Sequence, residues 1–233
     1  MTTIGERYLH VRDRIASAAA RSGRSPDDVT IVAAAKTFAP AEIESAIAAG
    51  VRDVGENYVQ EAGAKRARIA APGVRWHLIG RLQRNKARQA PVLFDCIHSL
   101  DSTALAEALD RAAGSTGRRV RCLVEVNLGG EGTKGGISPD RLRELLESAG
   151  RLPGVAVDGL MAIPPAGGSA EDSRPFFVRL RELRDDLARL RLPGVHLKEL
   201  SMGMSGDFEI AVEEGATMVR IGTAIFGPRR RRG

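Results

Sequence analysis

Residues 29–36 read VTIVAAAK. The run is almost continuously apolar and too short for an exposed helix, so it is expected as a strand buried on both faces. Ahead of it, Ile4, Tyr8, Val11 and Ile15 recur at helical spacing with charged residues between them, which predicts an amphipathic helix stopping near residues 22–23. Beyond it the chain alternates. Strands are expected at 52–55, 75–79, 93–98, 120–127, 155–163, 196–200 and 217–221, with helices or helical turns between them at 40–49, 58–69, from 85, 102–114, 138–150, 174–191 and 207–214. Pro40, Ser102 and Pro139 mark helix starts, and Gly50, Gly114 and Gly150 mark ends. Strict alternation implies parallel strands with right-handed crossovers. About eight units close into a (β/α)8 TIM barrel, with the N-terminal helix as an extra element covering the gap after the last strand. No Gly-rich fingerprint follows the first strand, which argues against an open doubly wound sheet.

The 233 residues are 43% hydrophobic and 27% charged, as expected of a globular chain with a substantial core. Aromatics are only 4%, so aliphatic side chains must fill that core. The formal charge is +6, but Arg229–Arg232 supply most of it. A single domain is expected over residues 1–228, followed by a solvated basic tail at 229–233. A nucleic-acid binder would spread its cations over one face among stacking aromatics, and neither feature is present. Cys96 and Cys122 lie in apolar runs without metal or disulfide spacing, so buried free thiols are expected. Residues 1–25 lack the apolar core of a signal peptide and no run is long enough to span a membrane. The expected location is the cytoplasm, with no membrane partner.

In such a barrel the chemistry belongs at the C-terminal ends of the strands. Lys36 ends the first strand. An amine half-buried at the barrel mouth is held toward its neutral form, which attacks an aldehyde to give an imine. The alternative is a lysine that snorkels into water. Arg220-Ile221-Gly222-Thr223 joins the last strand to a terminal turn, where barrels often bind phosphate through backbone N–H groups. Gly222 admits the phosphate, Thr223 adds a hydroxyl and Ser201 offers another. A lysine on strand one and a phosphate cup after strands seven and eight together describe a site for a phosphorylated aldehyde. Pyridoxal 5′-phosphate is such a molecule.

These segments resemble the pyridoxal phosphate homeostasis protein family, whose fold is like the N-terminal barrel domain of alanine racemase. The matching stretches are AAAKT (33–37), GENYVQE (55–61), WHLIGRLQRNK (76–86), EVN (125–127) and ELSMGMSGDFEIAVEEGATMVRIGTAIFG (199–227). The resemblance implies that Lys36 carries the cofactor as a Schiff base and that Asn57 lies near its ring. It implies that Ser201, Gly222 and Thr223 hold the phosphate, that Arg220 faces the pyridine nitrogen, and that His77 and Met202 are pocket neighbours. Phe38 departs from the pattern, since many relatives carry a second lysine there. Lys134, in the EGTKGGI loop, is the remaining lysine near the rim, and a solvated loop residue is its simpler reading. Trp76 reads as core, and His10 and His196 as surface or packing residues. Arg81, Arg84, Lys86 and Arg88 form a solvated basic stretch able to steer an anionic vitamer inward.

Two functions fit. One is a carrier that holds pyridoxal phosphate and related B6 vitamers, limits the free aldehyde and hands it to apo-enzymes, without substantial catalysis. The other is an amino-acid racemase, which needs an acid–base group on each face of the substrate α-carbon. Alanine racemases take the second group from a tyrosine of an additional domain. Here the sequence ends at Gly233 and its only tyrosines are Tyr8 and Tyr58, so the carrier reading and a monomer are expected.

Overall fold

The computed structural model describes residues 2–130, 135–165 and 167–228. Lys134 and Arg229–Arg232 lie outside the described residues. Eight parallel strands form one closed ring in chain order: β1 (Thr30–Ala34), β2 (Asp53–Glu56), β3 (Arg75–Leu78), β4 (Cys96–Leu100), β5 (Val120–Glu125), β6 (Val155–Met161), β7 (Val195–Ser201) and β8 (Met218–Ile221). The helices are α1 (Ile4–Arg21), α2 (Pro40–Ala48), α3 (Val59–Arg66), α4 (Ala90–Leu93), α5 (Thr103–Gly114), α6 (Pro139–Gly150), α7 (Arg174–Ala188), α8 (Phe208–Glu213) and α9 (Thr223–Phe226).

Side chains alternate across each strand, and the two faces meet different partners. Outward residues such as Val54, Leu78, Ile97 and Val124 join the helices in the main core. Val32, Cys96, Leu123, Met161 and Met218 form a separate cluster. They are the inward set, and they fill the ring as a packed layer. Polar residues occupy the same interior, and the site is built from them.

The N-terminal helix starts with a capping box, Thr3 with Glu6, and buries Tyr8, Val11 and Ile15. β8 pairs directly with β1 along Thr30↔Met218 to Ala33↔Ile221, and the helix covers the gap in the outer layer after this last strand, as expected. It lies outside the ring, on α2, α8 and α9. Arg7 Nε donates to Ile225 O at 2.7 Å and Arg24 donates to Val212 O and Ala216 O at 2.7 and 2.9 Å. One boundary differs from expectation for a physical reason. Leu93 is the last residue of α4, which continues the helical turns of Arg84–Gln89, and Phe94 caps it, so β4 begins only at Cys96. A continuous apolar run such as VLFDCI carries no period that separates helix from strand.

Candidate functional site

Beyond the C-terminal ends of the strands lies a cavity of about 250 Å³. Its apolar wall includes Ala34, Phe38, Ile79 and Ile163, and its polar wall includes Lys36, Asn57, Ser205, Arg220 and Thr223. Lys36 sits half-buried, two residues past the end of β1. The turn that carries it is braced from behind. Lys65 Nζ donates to Ala35 O at 2.8 Å and to Glu56 Oε1 at 2.7 Å, both in buried surroundings. Burial raises the Glu56 carboxyl above its ordinary range, and the Lys65 ammonium works against that rise. The next residue, Thr37, has φ 70°, a conformation costing a β-branched residue roughly 1–2 kcal/mol. Phe38 then stacks on Phe226 with ring centroids 4.6 Å apart. The backbone around Lys36 is therefore fixed on both sides.

Asn57 follows β2, and Gly80 packs against it. Gly222 follows β8 and caps the start of α9. Its backbone N–H donates to Ser205 Oγ at 3.3 Å, and that of Ala224 donates to the same oxygen at 3.2 Å. Two amides converging on one hydroxyl oxygen mark a place where an anionic oxygen would be received. Ser205 reaches this place through the turn at Gly203, whose φ is 91°. A Cβ there would lie 2.5 Å from that of Ala211.

Arg220 projects inward from β8, buried to 4% exposure. Burial lowers its guanidinium to about 10, against the opposing pull of Glu125 and Asp207. It donates through Nη1 to Ser201 O at 2.7 Å and Ser201 Oγ at 2.6 Å, and through Nη2 to Ala162 O at 2.9 Å. Ser201 Oγ lies 2.9 Å from His98 Nδ1, His98 Nε2 lies 2.9 Å from His77 Nδ1, and His77 Nε2 lies 2.8 Å from Asp53 Oδ1. Arg75 closes the series with two 2.7 Å hydrogen bonds to the Asp53 carboxylate. Burial alone would raise the Asp53 carboxyl, but hydrogen bonds from His77 and Arg75 outweigh it and hold it below the ordinary carboxylate range. His98 is fully buried, and desolvation keeps its imidazole well below its ordinary value, helped by the nearby Arg220 cation.

The structure thus divides the expected site residues. Lys36, Asn57, Arg220, Gly222 and Thr223 line one cavity. Ser201, His77 and Met202 do not line it. The Ser201 hydroxyl is turned into the barrel, between Arg220 and His98, and the serine that lines the cavity is Ser205, four residues on. His77 is one strand layer deeper, and Met202 is fully buried in the core between ring and helices. The signal for Ser205 was present in SMGMSGD: a serine after a Gly turn and just before a helix start. Neither tyrosine lines the cavity. Tyr58 is 61% exposed, and the Tyr8 hydroxyl donates to Gly50 O at the opposite mouth.

Among the described residues, His77, Cys96 and His98 bring ligand-type atoms within 4.8 Å of one another. Their ring nitrogens already hold hydrogen-bond partners, and burial pushes the Cys96 thiol up to about 12. A protonated thiol is a poor metal ligand. A larger cavity of about 570 Å³ opens at the opposite mouth around Tyr8, Arg12, Arg52 and Arg75. It lies between α1 and the strand beginnings, with no lysine in its walls among the described residues, so the smaller cavity is the candidate site. No helix among the described residues is long and apolar enough to cross a membrane.

Residues 10–230 match the family described as alanine racemase, N-terminal domain. A protein of Aquifex aeolicus called pyridoxal phosphate homeostasis protein is 46% identical over 97% of this chain and 98% of its own length. A crystal structure of an unknown protein from Bifidobacterium adolescentis superposes with a TM-score of 0.90 at 40% identity, over 95% of this chain and 94% of that one. PipY of Synechococcus elongatus, solved with PLP bound, superposes with a TM-score of 0.86 at 42% identity, over 97% of this chain and all of the other.

Proposed function

This chain belongs to the family of pyridoxal phosphate homeostasis proteins, built on the alanine racemase N-terminal-domain fold, and from that premise we propose that it binds pyridoxal 5′-phosphate covalently through Lys36 and carries it without substantial turnover. The residues present suit that group. An amine stands at the rim of the cavity, a buried guanidinium forms part of its wall, and two backbone amides converge where an anionic oxygen would sit. When bound, the cofactor supplies an aldehyde, which condenses with an amine and releases water. Lys36 provides that amine. Ser205, Thr223 and the amides of Gly222 and Ala224 receive the phosphate, with Ser205 giving up its present amide contacts to do so. Arg220 would face the pyridine nitrogen as a fixed cation, and Asn57 would orient the ring.

The observation that carries the non-catalytic reading is the composition of the cavity wall. Among the described residues its only titratable side chains are Lys36 and Arg220. An arginine is a poor proton carrier, so one acid–base group faces the site. Racemisation needs two, which leaves the racemase reading the weaker one. The exposed rim residues Tyr58, Ile163 and Met204 leave the mouth accessible. Access of that kind suits reversible loading and release to apo-enzymes in the cytoplasm.

Borohydride reduction of the protein mixed with pyridoxal 5′-phosphate tests the reading. Mass spectrometry is expected to place a stable adduct on Lys36, absent from Lys36→Ala, which retains its circular dichroism. An adduct only on Lys134 would overturn the assignment.

A further inference from the structure

The polar residues inside the ring run from one mouth of the barrel to the other. Asp53 and Arg75 are the first residues of β2 and β3, His77 and His98 stand midway along β3 and β4, and Ser201 and Arg220 lie at the far ends of β7 and β8. Every contact between neighbours is 2.6–2.9 Å.

Donor and acceptor roles are constrained at both ends. Arg220 can only donate, so Ser201 Oγ accepts from it. The Asp53 carboxylate can only accept, so His77 Nε2 carries a hydrogen. With both imidazoles neutral, one assignment satisfies the middle. The Ser201 hydroxyl donates to His98 Nδ1, His98 Nε2–H donates to His77 Nδ1, and His77 Nε2–H donates to Asp53 Oδ1. Every hydrogen then points away from Arg220 and toward the carboxylate. Aligned hydrogen bonds polarise one another in a low-dielectric interior, so the Asp53 charge strengthens Ser201 as an acceptor. Arg220 needs such an acceptor, since it is a buried cation whose other hydrogen-bond partners among the described residues are backbone carbonyls.

We propose that His98 and His77 are positioning residues for the cofactor pocket: through Ser201 they hold Arg220 in place by a one-way hydrogen-bond chain anchored on the Asp53–Arg75 pair at the opposite mouth. The inference rests on the assignment of pyridoxal phosphate to the pocket. Its distinguishing consequence is coupling between residues that do not touch. Asp53 and Ser201 are separated by two imidazoles. Substitutions at separate sites without shared partners add in free energy, whereas members of one hydrogen-bond network do not.

Two measurements test this on the full chain. Nitrogen NMR without added ligand is expected to place a proton on Nε2 of both His77 and His98 and none on Nδ1 of either. An Nδ1 proton on either ring, or a doubly protonated His77, would overturn the chain as drawn. Retention of pyridoxal 5′-phosphate is then compared in Ser201→Ala, Asp53→Asn and the double variant. Ser201→Ala is expected to weaken it roughly tenfold or more, as for loss of a hydrogen bond to a charged group, and Asp53→Asn less. The double variant should match Ser201→Ala alone. Additive losses overturn the proposal. Asp53 is buried, so Arg75→Gln repeats the cycle at a side chain 54% exposed, where the fold is safe. Wild-type protein that gives no borohydride adduct would overturn the cofactor assignment itself; a normal adduct with additive losses overturns the chain alone.

Discussion

A Cβ added to Gly80 would lie 2.5 Å from the carbonyl oxygen of Asn57 and 2.8 Å from its Cα. The contact is backbone against backbone position, so no flexible side chain can yield. Gly80 is also held from the other side, where Ser99 Oγ donates to Gly80 O at 2.8 Å. Asn57 therefore owes its place in the cavity wall to a missing methyl group.

Gly80→Ala is accordingly expected to push Asn57 outward, lower stability by about 1–3 kcal/mol through overpacking, and weaken cofactor retention. Urea denaturation and a pyridoxal 5′-phosphate titration read the two effects separately. A variant unchanged in both would show that the Asn57 segment relaxes freely.

Ser205→Ala and Thr223→Ala should each weaken retention of pyridoxal 5′-phosphate roughly tenfold, because each removes a donor to a charged acceptor. Ser201→Ala should weaken it too, but through Arg220. Pyridoxal without its phosphate separates the two causes. The Ser205→Ala and Thr223→Ala penalties should disappear with it, and the Ser201→Ala penalty should persist. The reverse pattern would return the phosphate to Ser201.

Acid should destabilise the protein earlier than its carboxylates alone require. An unfolded His98 takes up a proton as pH falls through its ordinary value of 6.5, while the buried imidazole does not until far lower pH. Stability present above pH 6.5 is therefore lost as pH falls toward the folded value, at up to about 1.4 kcal/mol per pH unit. Asp53, held below 3.8, adds a loss of the same sign at lower pH. Glu56 and Glu125, raised by burial, act oppositely between their ordinary 4.5 and their folded values. Urea midpoints of wild type and His98→Gln between pH 5 and 8 isolate the histidine. The variant should show the flatter profile, and parallel profiles would contradict the burial argument.

Incubated with L-alanine in deuterated water, the protein loaded with pyridoxal 5′-phosphate should form no D-alanine at a substantial rate. Among the described residues one proton carrier lines the cavity, and a positioned second one is worth about 10²–10⁴-fold. Rapid inversion that disappears in Lys36→Ala would promote the racemase reading instead.

The barrel was legible because its signal is repetitive. Eight apolar runs alternate with amphipathic or capped segments, and no single misplaced boundary, such as 93–94, alters the count. Within the pocket, Lys36, Arg220, Gly222 and Thr223 were legible because strand ends in a barrel face one way. Ser201 follows the same rule with a different outcome. It is a strand-end serine, but β7 turns its side chain into the ring, and the cavity is reached by Ser205 on the following turn. The contacts between His77 and His98, and between His98 and Ser201, span residues 21 and 103 positions apart. Nothing local in the sequence encodes such pairings, which arise only when the ring closes.

The helix α1 packs on α8 and α9, and Arg7 bonds a carbonyl 218 residues downstream. A ribosome adding roughly 5–20 residues per second needs about 10–40 s to cover that distance. For that interval the apolar stripe of Tyr8, Val11 and Ile15 has only part of its eventual surroundings, and β1 has one neighbour instead of two. Nascent chains are thus expected to expose a sticky helix and an open strand edge until the last elements emerge, the state in which aggregation competes with folding.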